Sequence, residues 1–180
     1  MAPIPIAHRG WWWPEPTERN RGRPFQEAAR AGYGLELDVL LVQGRLWIAH
    51  ERGDVLTGQA DCTPLKILPA LCSAPLLAWN LKDMASAELL TVFIRTHELV
   101  ERSVIFDHEL AAREAGMPPH HGARILERFQ ASGLLARASD KDESLGEALI
   151  APGMGVWLDA FEKDWVTADT IRTVHASRKA

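Results

Sequence analysis

Short apolar runs that end in polar, titratable residues alternate with stretches of helical periodicity along most of the chain. The first run, Ile4 to His8, closes on His8-Arg9-Gly10. A loop rich in Pro, Arg and Trp follows, then a helical pattern from Pro24 to Ala31 that Gly32 ends. Leu35 to Leu40 is the second run; Gly44 turns the chain and Leu46 to Ala49 returns as a hairpin-like partner. Leu76 to Leu81 is the third run. Ala85 to Val100 then carries Leu89, Leu90, Phe93 and Ile94 at helical spacing. Val104 to Phe106 is a strand followed by polar Asp107-His108-Glu109. A helix from Pro118 to Ala131 has the stripe Ile125, Leu126, Phe129, with Gly133 as its C-cap. Leu134 to Ala138 is a weaker strand, and Gly155 to Leu158 delivers Asp159. Thr167 to Ala176 is a last helix, with Thr167 or Asp169 as cap. Such alternation builds βα units on a parallel sheet, so the fold class is α/β with roughly six units.

Composition narrows the function. At 180 residues the chain fits a single domain, residues 1–180. With 20 Lys+Arg against 24 Asp+Glu, it lacks the basic excess of a nucleic-acid binder. No apolar run approaches the ~20 residues of a membrane span, so stable membrane insertion is not expected. Met1 to Arg9 contains Pro3 and Pro5 and no long apolar core, unlike a secretory signal, which makes the cytoplasm the expected location. Cys62 and Cys72 have no nearby His to complete a zinc site and read as two reduced structural thiols.

Chemistry-bearing residues gather where the strands end. His8 and Arg9 follow the first strand. Glu36 and Asp38 lie two apart on the second and point to one face. His50 follows the hairpin return, and Asn80 and Lys82 end the third strand with the same spacing. Ligands of α/β sheets and barrels bind at the carboxyl ends of strands, so all seven are expected on one pocket. Two carboxylates and an amide oxygen are hard donors suited to Mg²⁺ or Ca²⁺. Two imidazoles supply an acid and a base near neutral pH, and Arg9 and Lys82 can hold a phosphate.

Three ordered motifs carry a resemblance. Ile6-Ala7-His8-Arg9-Gly10, Gly34-Leu35-Glu36-Leu37-Asp38-Val39 and Ile48-Ala49-His50-Glu51 are together similar to the glycerophosphodiester phosphodiesterase signature. Phe25, Ala28 and Gly32 also fall where that family's first helix places apolar and turn residues. The match is strongest over about the first fifty residues and weaker through Lys82, while Gly155-Val156-Trp157-Leu158-Asp159 resembles a branch of shorter bacterial relatives. The resemblance implies a TIM-type (β/α) barrel and a divalent metal. It makes Glu36, Asp38 and Asn80 metal ligands, His8 and His50 the acid/base pair, and Arg9 and Lys82 the phosphate contacts. The implied reaction is metal-dependent hydrolysis of small-molecule glycerophosphodiesters to an alcohol and glycerol phosphate.

The chain departs from that pattern in three places. Asn80 stands where the family has a Glu, removing one anionic ligand; Arg19-Asn20-Arg21 blurs the family's Glu-Asn-Thr; Glu51 replaces an Asp. A full barrel typically takes about 250 residues, so the expectation is an incomplete barrel lacking its last strands. Its open edges would favour a homodimer through the gap. Two alternatives therefore stand beside the hydrolase: a weakened domain that only binds a phosphorylated ligand, and a truncated chain without function.

Other residues have plainer readings. Asp107, Arg137 and Asp159 end later strands and fit pocket lining, caps or salt bridges equally. His120-His121 reads as a solvated loop, and His97, His108 and His175 have no evident partner. Trp11, Trp12 and Trp13 read either as an apolar lip for a glycerol or acyl moiety or a membrane surface, or as a loop packed on itself in the barrel mouth. The self-packed loop is the favoured expectation.

Overall fold

The computed structural model describes residues 3–141, 155–160, 162 and 164–177. The elements run β1 (Ile6–His8), α1 (Gly22–Arg30), β2 (Gly34–Val42), β3 (Arg45–Ile48), α2 (Arg52–Leu56), α3 (Leu68–Ser73) and β4 (Leu77–Leu81). They continue as α4 (Ala87–Thr96), β5 (Ser103–Phe106), α5 (His108–Glu114), α6 (His121–Arg128), β6 (Leu135–Ser139), β7 (Gly155–Asp159) and α7 (Ala168–Ser177).

Strand β2 organises the sheet. Every residue from Gly34 to Leu40 is buried, so it is a central strand and not a half-solvated one. Its first half pairs parallel with β1 on one edge and with β4 on the other. Val39 pairs with both Leu81 and Ile48, so β3 lies antiparallel on the same edge as β1. β4 pairs parallel with β5. β6 and β7 pair parallel with each other, and a bridge between Ile105 and Leu134 ties them to β5. Among the described residues β7 does not pair with β1, so the barrel is not closed.

The period-two pattern separates core from site. Leu35, Leu37 and Val39 of β2, Leu77, Trp79 and Leu81 of β4 and Ile105 of β5 join one core with Phe25 and Ala28 of α1 and Leu90 of α4. Each large side chain fully buried there contributes about 1.5–3 kcal/mol. Trp79 is fully buried and satisfies its indole by donating to Ser103 Oγ at 2.9 Å. The intervening residues Glu36, Asp38 and Asn80 point away from that core.

Helix α1 starts at Gly22, and Gly32 follows it with φ +81°. The last helix begins one residue after Thr167, whose Oγ1 accepts from Thr170 N at 3.2 Å, the cap expected of that threonine. The long helix expected over Ala85–Val100 is shorter: Asp83 caps a 3₁₀ turn at Met84–Ser86 by accepting from Ser86 N, and α4 runs only from Ala87 to Thr96.

Candidate active site

The turn after β1 is strained and pinned. Arg9 and Gly10 both take left-handed backbone, at φ 58° and 84°. A Cβ on Gly10 would stand 2.8 Å from Pro24 Cβ, so only glycine lets this turn lie against the start of α1. Trp11 N donates to Pro24 O at 3.1 Å and Asn20 N to Arg9 O at 3.1 Å, fixing both sides.

That turn aims Arg9 at the carboxylates of β2. Arg9 N donates to Glu36 Oε2 at 3.2 Å, and its Nε lies 2.8 Å from Asp38 Oδ2. Strand register does the rest: His8 is level with Glu36, and Asp38 with Asn80. Asn80 Nδ2 donates to Glu36 Oε1 at 3.4 Å, and Lys82 Nζ is 3.8 Å from Asp38 Oδ1.

His8, Arg9, Glu36, His50, Asn80 and Lys82 all line one cavity of about 1090 Å³. Asp38 is the exception among the seven expected there: it is fully buried beneath Arg9 and Lys82 and has no surface on the cavity. Burial, reinforced by the Arg9 charge, lowers the His8 pKa; burial and the Lys82 charge lower that of His50. Both shifts favour the neutral imidazole. Burial, with the neighbouring Asp38 charge, pushes the Glu36 carboxyl well above the usual range.

Three residues that the sequence left between several readings line the same cavity. Arg137 Nη1 bonds Asp107 Oδ1 at 2.8 Å and its Nε lies 3.4 Å from Asp159 Oδ2. Trp157 stacks on Phe106 with ring centroids 4.1 Å apart. Asp107, Arg137 and Asp159 are thus at once pocket lining and ion pairs.

Asn20 was not among the candidates, yet it belongs here. It is buried, at φ 58°, and its Nδ2 donates to Asp38 Oδ2 at 3.1 Å. The signal that could have found it was its place as the middle residue of Arg19-Asn20-Arg21, where the blurred Glu-Asn-Thr keeps its Asn.

Several buried oxygens remain without a hydrogen-bond partner. Oδ1 of Asn20, Asp38 and Asn80 are three buried acceptor oxygens without a hydrogen-bond partner, beside the Glu36 carboxylate. Oxygen donors of this kind suit Mg²⁺ or Ca²⁺. No group of three His, Cys, Asp or Glu side chains among the described residues is arranged to hold a metal, so amide oxygens must complete any such set.

Some remaining expectations change. The tryptophan loop packs on itself only in part: Trp12 and Trp13 meet edge-on at 6.1 Å between ring centroids, but Trp11 is 50% and Trp13 77% exposed. Trp11 leans on Tyr33, while Trp12 donates its indole N–H to His8 O and lies under Arg19. Both cysteines are free, but only Cys62 is buried; Cys72 is exposed and serves no core. His97 has a partner in Phe93, at 4.5 Å between ring centroids. His121 opens α6 and does not sit in a loop. No helix among the described residues is long and apolar enough to cross a membrane.

No protein-family model matches the chain, and no curated protein matches it. The chain is similar to the solved structure of a glycerophosphodiester phosphodiesterase from Parabacteroides distasonis. The likeness has a TM-score of 0.50 and 18% sequence identity, over 96% of this chain and 97% of that one. At that identity the likeness is one of fold, an α/β architecture with a parallel sheet.

Proposed function

We propose that this chain hydrolyses glycerophosphodiesters with a divalent metal and two histidines. The observation that carries the reading is the shared cavity: His8 and His50 face it together with Arg9 and Lys82, beside a carboxylate and the unpartnered amide oxygen of Asn80. Arg9 and Lys82 hold the phosphodiester anion and orient it. The substrate's neighbouring hydroxyl oxygen forms a bond to phosphorus while the bond to the leaving oxygen breaks. One neutral imidazole takes the hydroxyl proton; the other, protonated, gives its proton to the leaving alkoxide. Water then opens the cyclic phosphodiester, with the two imidazoles exchanging roles, and glycerol phosphate results. Glu36, Asp38 and Asn80, with Asn20, would hold a bound Mg²⁺ or Ca²⁺, which supplies charge stabilisation at the non-bridging oxygens. The anion between the two imidazoles offsets the influence of Arg9 and Lys82 and raises the pKa of the one that acts as acid.

The test is turnover of glycerophosphodiesters by purified protein with Mg²⁺, Ca²⁺ or Mn²⁺. His8→Ala and His50→Ala should each lower kcat about 10²–10⁴-fold. No turnover with any metal, or full turnover by His8→Ala, overturns the reading. A second reading has its own support, since Asp38 already faces two cations within 4 Å. In it the domain binds a phosphorylated ligand without cleaving it, and calorimetric binding of a phosphodiester that is never hydrolysed would establish that.

A further inference from the structure

A second, smaller hollow adjoins the cavity. It encloses about 300 Å³, at the lower end of ligand pockets. Trp11, Trp12, Trp13, Tyr33 and Ala7 line it, and no Asp, Glu, Lys or Arg does so. His8 is the one residue that lines both hollows. Along β1, Ile6 faces the large cavity and Ala7 the aromatic groove, so the two lie on either side of the strand and meet at its carboxyl end. A paired strand on the free edge of β1 would block passage between them. Among the described residues β1 pairs only with β2, and no described strand lies on that edge.

We infer that the aromatic groove is the subsite for an apolar alcohol moiety, so that the preferred substrates are phosphodiesters carrying an alkyl chain and not only small polar head groups. The inference rests on the phosphodiesterase reading of the adjoining cavity. The phosphate sits at Arg9 and Lys82, the leaving oxygen beside His8, and the chain attached to that oxygen passes the edge of β1 into the groove. Indole and phenol faces offer such a chain broad apolar contact, and no Asp, Glu, Lys or Arg lines the groove to hold a charged head group. The Trp12 indole N–H is already held by His8 O at 2.9 Å, which fixes the groove floor to the site it serves.

The test is a series of glycerol phosphate esters of ethanol, butanol, hexanol and octanol, all soluble as monomers, assayed with Mg²⁺ or Ca²⁺. The leaving alcohols differ little in acidity, so differences report binding. The expected result is a rise in kcat/KM of about three- to fourfold for each buried methylene until the groove is filled. Trp13→Ala, at a largely exposed side chain, and Trp11→Ala should flatten the series through KM; a thermal unfolding transition like that of the native protein certifies each variant. A flat series in the native protein, or a rise untouched by both substitutions, overturns the groove while leaving the phosphodiesterase reading in place. If no ester turns over, the phosphodiesterase reading falls, and calorimetry with the octyl ester still decides the groove. Binding tighter than that of the ethyl ester and weakened at least tenfold by Trp11→Ala supports it, and equal binding overturns it. Sedimentation with phosphatidylcholine vesicles that is lost in Trp13→Ala, together with a flat series, would give these tryptophans to a membrane surface and overturn the inference.

Discussion

His108 and Glu109 form a pair whose two titrations oppose each other. His108 is buried at the start of α5, its Nδ1 is 3.3 Å from Glu109 Oε2, and Asp107 and Arg137 flank them. Burial pulls the His108 pKa down to about 4 and pushes that of Glu109 up to about 7. Between about pH 4.5 and 6.5 the unfolded chain carries its proton on the histidine and the folded chain carries it on the glutamate. The number of bound protons is equal, so the pair leaves stability nearly flat across this window. Each single variant should expose one slope. In Glu109→Gln only the histidine remains, the unfolded state binds the extra proton, and stability falls by roughly 2–3 kcal/mol on acidification from pH 6.5 to 4. In His108→Leu only the glutamate remains, the folded state binds the extra proton, and stability falls by a similar amount as pH rises from 4.5 to 7. Urea denaturation across this range, with native protein as reference, checks both; parallel profiles in the three proteins would refute the opposition.

At the scale of elements, α5 and α6 pack so closely that a glycine is required between them. A Cβ on Gly122 would lie 2.1 Å from His108 O, a backbone atom that cannot step aside alone. Gly122→Ala should therefore destabilise by at least about 1–3 kcal/mol, read as a lower denaturant midpoint. Gly53 in α2 is the contrast: a Cβ there meets nothing within 4 Å, and Gly53→Ala should raise stability by about 0.5–1 kcal/mol through helix propensity. The same elements mark what the sequence could tell. The alternation Leu35-Glu36-Leu37-Asp38-Val39 announced both a strand and the face its carboxylates take, because a side-chain period of two survives any tertiary context. It did not announce how deep Asp38 lies, which depends on Arg9 and Lys82 closing over it. Helix α5 escaped notice because its buried face is made of Ala111, Ala112 and a histidine, too small or too polar to mark a stripe. Helix α2 is five residues long, shorter than two helical turns, and rests on the Glu51–Asp54 capping box. Asn20 joined the site through a left-handed turn and contacts 18 residues away in sequence, which no local periodicity records.

At the scale of the whole molecule, the open seam between β1 and β7 should divide the sheet by stability. β2 and β4 are paired on both edges and buried but for Leu41, whereas β1 and β7 each pair on one edge among the described residues. Hydrogen exchange followed by mass spectrometry should find the slowest amides in β2 and β4 and the fastest strand amides in β1 and β7. Uniform protection across all four strands would contradict that division. Strand β2 has a further consequence. Leu35, Leu37 and Val39 face the core and Glu36 and Asp38 face away from it, so this stretch has only two ways to face the sheet. Sliding the strand by one place would bury Glu36 and Asp38 among leucines and turn Leu35, Leu37 and Val39 toward the water of the cavity. A β2 out of register would lose its core contacts and its cavity face together. For this strand, finding the core and presenting the carboxylates are one event, and Glu36 and Asp38 serve as its proofreaders.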